Sequence, residues 1–268
     1  MPTSPSPPLP AVAARLRAAG CVFAEEEARL LLAAAGTPAQ LDDMVGRRAA
    51  GLPLEQILGW AQFCGLRIVV EPGVFVPRRR TELLVHQAIG RTAPGAVVVD
   101  LCCGSGAVGA ALAAAVDGIE LHAVDIDPVA VRCARRNVAA AGGQVYLGDV
   151  DEPLPATLRG RVDVLVANAP YVPTEAIALM PPEARLHEPQ VALDGGPDGL
   201  RIQRRVIAAA TRLLAPGGHL LIETSRRQAS RTAAAVARRG LVPVVATSDE
   251  LGATVVVGER PSPPRRPA

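Results

Sequence analysis

Between residues 95 and 258, short apolar segments alternate with alanine-rich stretches of helical pattern. Five apolar segments have the length and branched side chains of buried strands: residues 96–100, 121–125, 144–148, 162–166 and 219–223. The helical pattern covers residues 107–116, 128–141, 198–215 and 226–239. Strands that alternate with helices predict an α/β fold with a doubly wound parallel sheet. Residues 242–246 and 253–257 predict a terminal antiparallel hairpin at the sheet edge.

The first fifty residues have a different pattern, which predicts three helices at about 11–20, 23–35 and 38–50. Thr37 and Pro38 fit the N-cap and the first position of the third helix. We therefore predict a small N-terminal helical domain at 11–51 and a hairpin linker at 52–84. In that hairpin, residues 66–71 and 74–76 flank Pro72-Gly73. The α/β domain is expected at 85–259, and the Pro-rich segments 1–10 and 260–268 are expected to be disordered tails.

Charge and composition exclude several classes of function. The formal net charge of +2 offers no basic surface, so stable nucleic-acid binding is not expected. No apolar run is long enough to span a bilayer, and the N-terminus lacks a signal peptide, so a cytoplasmic protein without membrane attachment is expected. The five cysteines show no C-x-x-C spacing and no matching histidines, so no metal site is expected.

Polar residues follow the first three predicted strands of the α/β domain. Asp100-Leu-Cys-Cys-Gly-Ser-Gly106 is a glycine-containing turn into a helix, where free N–H groups can meet a carboxylate. Asp125 ends the second strand and can accept both hydroxyls of a ribose. Asp149 follows the third strand and can meet an adenine amine, with Val150 beside the ring. Because ligands of such sheets bind at the carboxyl ends of the strands, this pattern predicts a nucleotide site.

The nucleotide turn resembles the S-adenosylmethionine (SAM)-binding motif of class I methyltransferases, with Cys102 in place of the usual glycine. Its spacing differs from the G-x-G-x-x-G of NAD-binding proteins. The resemblance implies SAM as cofactor, with S-adenosylhomocysteine as product. The cofactor-binding residues that it implies are Asp100, Cys102, Gly104, Gly106, Asp125, Ile126, Asp149, Val150 and Asn168.

After the fourth strand, Asn168-Ala169-Pro170-Tyr171 resembles the N-P-P-Y motif of methyltransferases that act on planar nitrogens, with Ala169 in place of the first proline. We expect these four residues to be catalytic. The Asn168 side-chain oxygen and the Ala169 carbonyl can accept the two N–H groups of an amide and aim its nitrogen. Tyr171 can stack on the flat group.

Longer segments resemble the peptide chain release factor glutamine methyltransferases. These are residues 51–59 (GLPLEQILG), 75–82 (FVPRRRTE), 188–189 (EP) and 192–200 (ALDGGPDGL). That family has a helical N-terminal domain, a hairpin linker and a SAM domain, and it methylates the glutamine of a release factor's Gly-Gly-Gln loop. The resemblance implies a release factor as partner, a monomer, and substrate contacts from Phe75, Arg78, Glu188 and Pro189.

The chain departs from this family at Arg79 and Arg80, where a proline and an acid are usual, and at Thr224-Ser225. These departures keep three alternatives open. The chain could methylate a small molecule or an exocyclic amine of a nucleic acid, or it could bind SAM without catalysis. The net charge disfavours the nucleic acid, and the combination of Asn168 with Asp125 disfavours a non-catalytic protein.

Overall fold

The computed structural model describes residues 8–262, and it begins with three helices around their own apolar core. These are α1 (Leu9–Ala18), α2 (Ala24–Ala34) and α3 (Pro38–Ala49). The Thr37 hydroxyl accepts a hydrogen bond of 3.1 Å from Gln40 N and caps α3. Leu16, Leu31 and Leu41 lie at the centre of this core and are almost fully buried. A short helix, α4 (Leu54–Leu58), follows.

The first predicted tail ends earlier than residue 10. Helix α1 already begins at Leu9, and Pro10 stands in its first turn. A proline is compatible with that position because the N–H groups of the first turn have no partner within the helix. Residues 1–7 and 263–268 of the two predicted tails lie outside the described residues.

The hairpin of the linker is real, but its predicted position was wrong. Strands β1 (Trp60–Phe63) and β2 (Leu66–Val69) pair antiparallel across a two-residue turn at Cys64-Gly65. Both turn residues have positive φ angles, 48° and 77°, as hairpin turns of this length require. Pro72-Gly73 only closes a turn from Glu71 to Val74. The sequence signal was weak because cysteine is an unusual residue for a left-handed turn position.

A seven-stranded sheet forms the larger part of the described chain. Its strands are β3 (Val97–Leu101), β4 (Glu120–Asp125), β5 (Gln144–Leu147), β6 (Val162–Ala167), β7 (Leu214–Thr224), β8 (Val242–Ser248) and β9 (Ala253–Glu259). They lie in the order β5-β4-β3-β6-β7-β9-β8. Strand β9 runs opposite to the other six strands. The predicted doubly wound sheet with a terminal hairpin is therefore confirmed.

Helices cover both faces of the sheet. The remaining helices are α5 (Glu82–Ile89), α6 (Ala107–Ala115), α7 (Pro128–Val138), α8 (Pro182–His187), α9 (Arg201–Leu213) and α10 (Ala229–Ala237). Side chains of α5, α6 and α7 form one apolar core with the sheet, and those of α9 and α10 form the other. Successive residues of β7 alternate between the two cores, as Leu220 and Leu221 illustrate.

The predicted boundary between residues 84 and 85 falls inside α5, so it needs correction. Leu83, Leu84 and Val85 belong to the same core as the sheet. The hairpin joins this core as well, through Phe63 and Ile68. The helix was not predicted because its apolar residues, 83–85 and 88–89, form two short groups that are too few to show a clear helical period.

The strand order places β3 beside both β4 and β6 at the centre of the sheet. The helices that follow β3 and β6 lie on opposite faces, so a crevice opens at the carboxyl ends of these two strands. None of the helices within residues 8–262 is long and apolar enough to cross a membrane.

Candidate active site

The turn after β3 brings backbone N–H groups and a buried carboxylate to the crevice. Asp100 is only 1% exposed, and its Oδ2 accepts a hydrogen bond of 3.0 Å from Gly109 N in α6. Burial raises the pKa of this carboxyl to about 7. Cys102 and Gly104 both have positive φ angles, 58° and 55°. Cys102 therefore occupies a strained backbone position in this tight turn. Cys102 and Gly104 both line the cavity described below.

Gly106 differs from the other predicted cofactor residues because it does not line that cavity. It stands at the N-terminus of α6 with a φ of 75°, and a Cβ there would come within 3.0 Å of Ala134 Cβ in α7. Gly106 therefore lets α6 and α7 pack closely, which is a structural task. The glycine spacing alone could not separate this task from a ligand contact.

Asp125 is held at the end of β4 by two backbone groups. Its Oδ2 accepts from Gly104 N at 2.8 Å and its Oδ1 accepts from Asp127 N at 2.9 Å. Burial raises the pKa of Asp125. Asp127 caps α7 through a bond of 2.8 Å from Val129 N. Ile126, which is 50% exposed, lines the cavity beside them.

Asp149 and Val150 lie just after β5 on the same side of the sheet. Asp149 forms an ion pair of 2.8 Å with Arg205 of α9, and both side chains remain partly exposed. Val150 is buried and has a φ of 53°, an unusual angle for a branched side chain. Strained backbone of this kind is frequent at ligand sites.

Asn168 and Ala169 follow β6 and present two free acceptors. Asn168 Nδ2 donates to Thr81 Oγ1 at 3.4 Å, which directs the amide oxygen away from Thr81. Within residues 8–262, no hydrogen bond uses Asn168 Oδ1 or the carbonyl of Ala169. Ala169 and Pro170 are buried, so the backbone at this point is well fixed. The segment can therefore accept two N–H groups from a ligand.

Tyr171 is held by a buried carboxylate of the neighbouring strand. Its hydroxyl donates to Glu223 Oε1 at 3.2 Å, and Arg80 Nε donates to the same oxygen at 3.2 Å. Burial and the Glu223 carboxylate raise the pKa of Tyr171 to about 12, so its hydroxyl stays protonated. Glu223 lies at the end of β7 and is 1% exposed.

A glycine-rich loop, residues 193–199, packs against the backbone of Tyr171. Val172 N donates to Leu193 O at 3.1 Å, and Gly195 N donates to Val172 O at 2.8 Å. A Cβ on Gly195 would approach Tyr171 Cα at 2.8 Å, and one on Gly199 would collide with Tyr171 O. The loop thus needs glycine at both positions so that its backbone can pack against the Asn168–Tyr171 segment.

The four predicted substrate residues lie together at the other side of Asn168. Arg78 forms an ion pair with Glu188 and stacks over the Phe75 ring, with 5.5 Å between the guanidinium carbon and the ring centroid. Glu188 is buried, and burial raises its pKa although Arg78 lowers it. Pro189 follows at the cavity wall.

All of the predicted site residues except Gly106 face one cavity of about 810 Å³. The predicted residues that line it are Phe75, Arg78, Asp100, Cys102, Gly104, Asp125, Ile126, Asp149, Val150, Asn168, Ala169, Pro170, Tyr171, Glu188 and Pro189. A cavity of this size holds a nucleotide-sized ligand together with part of a second molecule.

Three residues of this region were absent from the sequence-based set. Arg80 and Thr81 line the cavity, and Glu223 lies directly behind Tyr171 and Arg80. The run of three arginines concealed the difference between its members. Arg79 is exposed and pairs with Glu250, whereas Arg78 and Arg80 turn inward to carboxylates.

Comparison with known proteins assigns the family. Residues 65–196 match the family model described as "Methyltransferase small domain". The release factor glutamine methyltransferase of Geobacter sulfurreducens is 39% identical over 219 residues, which cover 81% of this chain and 76% of that protein. A 4-amino-L-phenylalanine/4-methylamino-L-phenylalanine methyltransferase of Streptomyces pristinaespiralis is 40% identical over 188 residues, 67% of this chain and 63% of that protein.

A methyltransferase of Pyrococcus furiosus has the same fold. Its crystal structure superposes with a TM-score of 0.55 at 17% identity, covering 74% of this chain and 90% of that one. The level of identity and the coverage of the Geobacter relative, together with the cavity described above, lead to one conclusion. This chain belongs to the release factor glutamine methyltransferase family.

Proposed function

We propose that this protein transfers a methyl group from SAM to the side-chain amide nitrogen of a glutamine in the Gly-Gly-Gln loop of a release factor. The observation that carries the proposal is the pair of free acceptors, Asn168 Oδ1 and Ala169 O. They lie in a cavity that is also lined by aspartates at the carboxyl ends of three parallel strands, Asp100, Asp125 and Asp149. The relatives named as release factor glutamine methyltransferases support the choice of acceptor.

The aspartate end of the cavity fits SAM. Asp125 uses one lone pair of each oxygen for a backbone N–H and keeps capacity for the two ribose hydroxyls. Asp149 would accept from the adenine amine, with Val150 against the ring. Gly104 leaves open space where a Cβ would stand, so a ligand can approach the turn closely. A ligand with cationic groups would also stabilise the ionised forms of Asp100 and Asp125, whose pKa values are raised by burial.

When bound, SAM supplies a methyl group activated by its sulfonium. An amide nitrogen is a poor nucleophile, and the chain's own residues compensate for this. Asn168 Oδ1 and Ala169 O would each accept one N–H of the glutamine amide, fixing its plane and stabilising the positive charge that develops on nitrogen. No side chain has to remove a proton before the transfer. Tyr171, anchored by Glu223, would pack on the amide plane.

The decisive experiment measures transfer of label from methyl-labelled SAM. The acceptors are a purified release factor and a variant of it in which the glutamine of Gly-Gly-Gln is replaced. We expect label on the first and none on the second. Label on both, or on neither while calorimetry confirms SAM binding, would contradict the proposed acceptor.

A second candidate, methylation of a free amine, is favoured by one specific relative. The Streptomyces pristinaespiralis protein carries the name of an amino-acid amine methyltransferase at 40% identity. The same labelling assay with 4-amino-L-phenylalanine as acceptor separates the two functions. Turnover of this amine well above that of the release factor would establish the second candidate.

We also propose that the enzyme is a monomer and works in the cytoplasm, where it would meet its translation-factor substrate. Five free thiols fit a reducing compartment. The separate apolar core of α1–α3 supports an independent N-terminal domain, and the sheet domain would then start at α5. Sedimentation of the purified protein tests the oligomeric state.

A further inference from the structure

Two buried side-chain oxygens close to the cavity have no hydrogen-bond partner within residues 8–262. They are Glu188 Oε2 and Glu223 Oε2. The other oxygen of each carboxylate is held by an arginine, Arg78 in the first case and Arg80 in the second. Unsatisfied buried polar atoms are rare in folded proteins, and they are often found at sites of function. Arg78, Arg80 and Glu188 line the cavity together with the Asn168–Tyr171 segment, and Tyr171 donates to Glu223.

Arg80 is the most exposed of these four residues. Its side chain is 45% exposed, whereas the Glu223 side chain is 2% exposed. Only its Nε is paired with Glu223, and within the described residues neither Nη1 nor Nη2 forms an ion pair. Glu223 therefore holds the planar guanidinium through Nε, and Arg80 lines the cavity. A guanidinium held in this way is a preorganised donor for an oxygen atom of a ligand.

The charges around Arg80 indicate whether this ligand oxygen belongs to a carboxylate or to a neutral carbonyl. Each of the four arginines that line the cavity in the described part of the chain is paired with a carboxylate: Arg78, Arg80, Arg201 and Arg205. Asp125 and Asp127 line the same cavity and are not paired with any cation among the described residues. No lining arginine in this part of the chain is unpaired, so a free carboxylate on the acceptor would meet repulsion from these aspartates. A neutral carbonyl would not.

We infer that Arg80 is a specificity-determining residue that donates a hydrogen bond to a backbone carbonyl of the methyl acceptor next to the reacting side chain. A peptide group offers this carbonyl, and Arg80 lines the same cavity as Asn168 and Tyr171. The acceptor is therefore a glutamine inside a neutral peptide segment and not a free amino acid. Glu223 is the positioning residue that aims Arg80. This inference rests on the proposed function and states how that function selects its substrate.

The test compares Arg80→Gln with Arg79→Gln, because Arg79 is the adjacent arginine but is exposed and pairs only with the exposed Glu250. For the release factor as acceptor, Arg80→Gln is expected to raise KM about tenfold, which corresponds to about 1.4 kcal/mol and to one hydrogen bond to a charged group. The kcat value and the SAM affinity from calorimetry are expected to stay close to those of Arg79→Gln. Free glutamine is expected to be no acceptor for either variant.

A second variant separates a loss of acceptor binding from a loss of folding. Removing Arg80 leaves the buried Glu223 without its cation, which by itself can destabilise a protein. The double variant Arg80→Gln with Glu223→Gln removes both charges, and it is expected to fold and to show the same rise in KM.

Three outcomes would overturn the inference. If the wild type does not label the release factor, the proposed function fails and this inference fails with it. If the wild type labels it and Arg80→Gln has the KM of Arg79→Gln, only this inference fails. A fall in kcat at unchanged KM would show that Arg80 acts on Tyr171 and does not bind the acceptor.

Discussion

The backbone N–H of Gly104 donates a hydrogen bond of 2.8 Å to Oδ2 of Asp125, across two neighbouring strand ends. A second bond, from Asp127 N to Oδ1 at 2.9 Å, fixes the other oxygen. The carboxylate is thus aimed before any ligand arrives, and it keeps free lone pairs on both oxygens. This arrangement couples the glycine turn after β3 to the acid at the end of β4, which are the two parts that SAM would bridge.

Replacing Asp125 by alanine should weaken SAM binding. We expect a loss of about 1.5–3 kcal/mol, the size of hydrogen bonds that involve a charged group. Isothermal titration with SAM measures it, and Asp249→Ala serves as control because the Asp249 side chain is exposed on the terminal hairpin. Equal affinities of the two variants would remove Asp125 from the SAM site.

Replacing Asn168 by alanine should separate binding from chemistry. The variant loses the side-chain acceptor for the substrate amide, and loss of one such preorganised group lowers kcat by about 10²–10³. SAM affinity should stay within a few-fold of the wild type, because the aspartates of the other strand ends remain. Label transfer to the release factor and calorimetry measure the two quantities. Unchanged turnover would exclude Asn168 from catalysis.

Replacing Gly199 by alanine should disturb both stability and activity. The new Cβ would collide with Tyr171 O and with Gln228 Nε2, which donates to that oxygen at 2.9 Å. The matched control is Gly240→Ala, because Gly240 has a similar φ of 78° but has no atom within 4 Å of its Cβ position. The control should cost about 1–2 kcal/mol for the left-handed backbone alone.

Gly199→Ala should cost about 3 kcal/mol or more, because overpacking is added to the backbone strain. It should also lower kcat/KM, since the clash displaces the segment that carries Asn168. Urea unfolding and the labelling assay measure these effects. Equal stability of the two variants would show that the loop moves freely away from Tyr171.

Asp100 should make stability depend on pH. Its pKa is about 7 in the folded protein against an ordinary value of 3.8, so the folded state keeps a proton that the unfolded state releases between these values. Its contribution to stability is therefore complete below pH 4 and is lost as pH rises through about 7.

Asp100→Asn removes this dependence while the amide oxygen can still accept from Gly109 N. The free energy of unfolding of the variant, relative to wild type, should increase by about 2–4 kcal/mol between pH 4 and pH 8. Urea unfolding of both proteins at the two pH values provides the measurement. A constant difference would contradict the raised pKa.

The sequence by itself determined the fold class and the order of the strand ends. Alternating strands and helices can be recognised locally, and a parallel sheet must gather the carboxyl ends of its strands at one edge. That is why Asp100, Asp125 and Asn168 could be expected in one crevice although they lie far apart in the chain. The N-cap of α3 at Thr37 was predictable for the same local reason.

Only the tertiary structure decided which groups support this crevice. Arg80 meets Glu223 across 143 residues, Arg78 meets Glu188 across 110, and Tyr171 meets Glu223 across 52. No local period or turn rule links such pairs, because their meeting depends on how loops cross the ends of the strands. Gly106 illustrates the same limit. Its place in the motif predicts a ligand contact, and only the tertiary structure shows that it also lets α6 pack closely on α7.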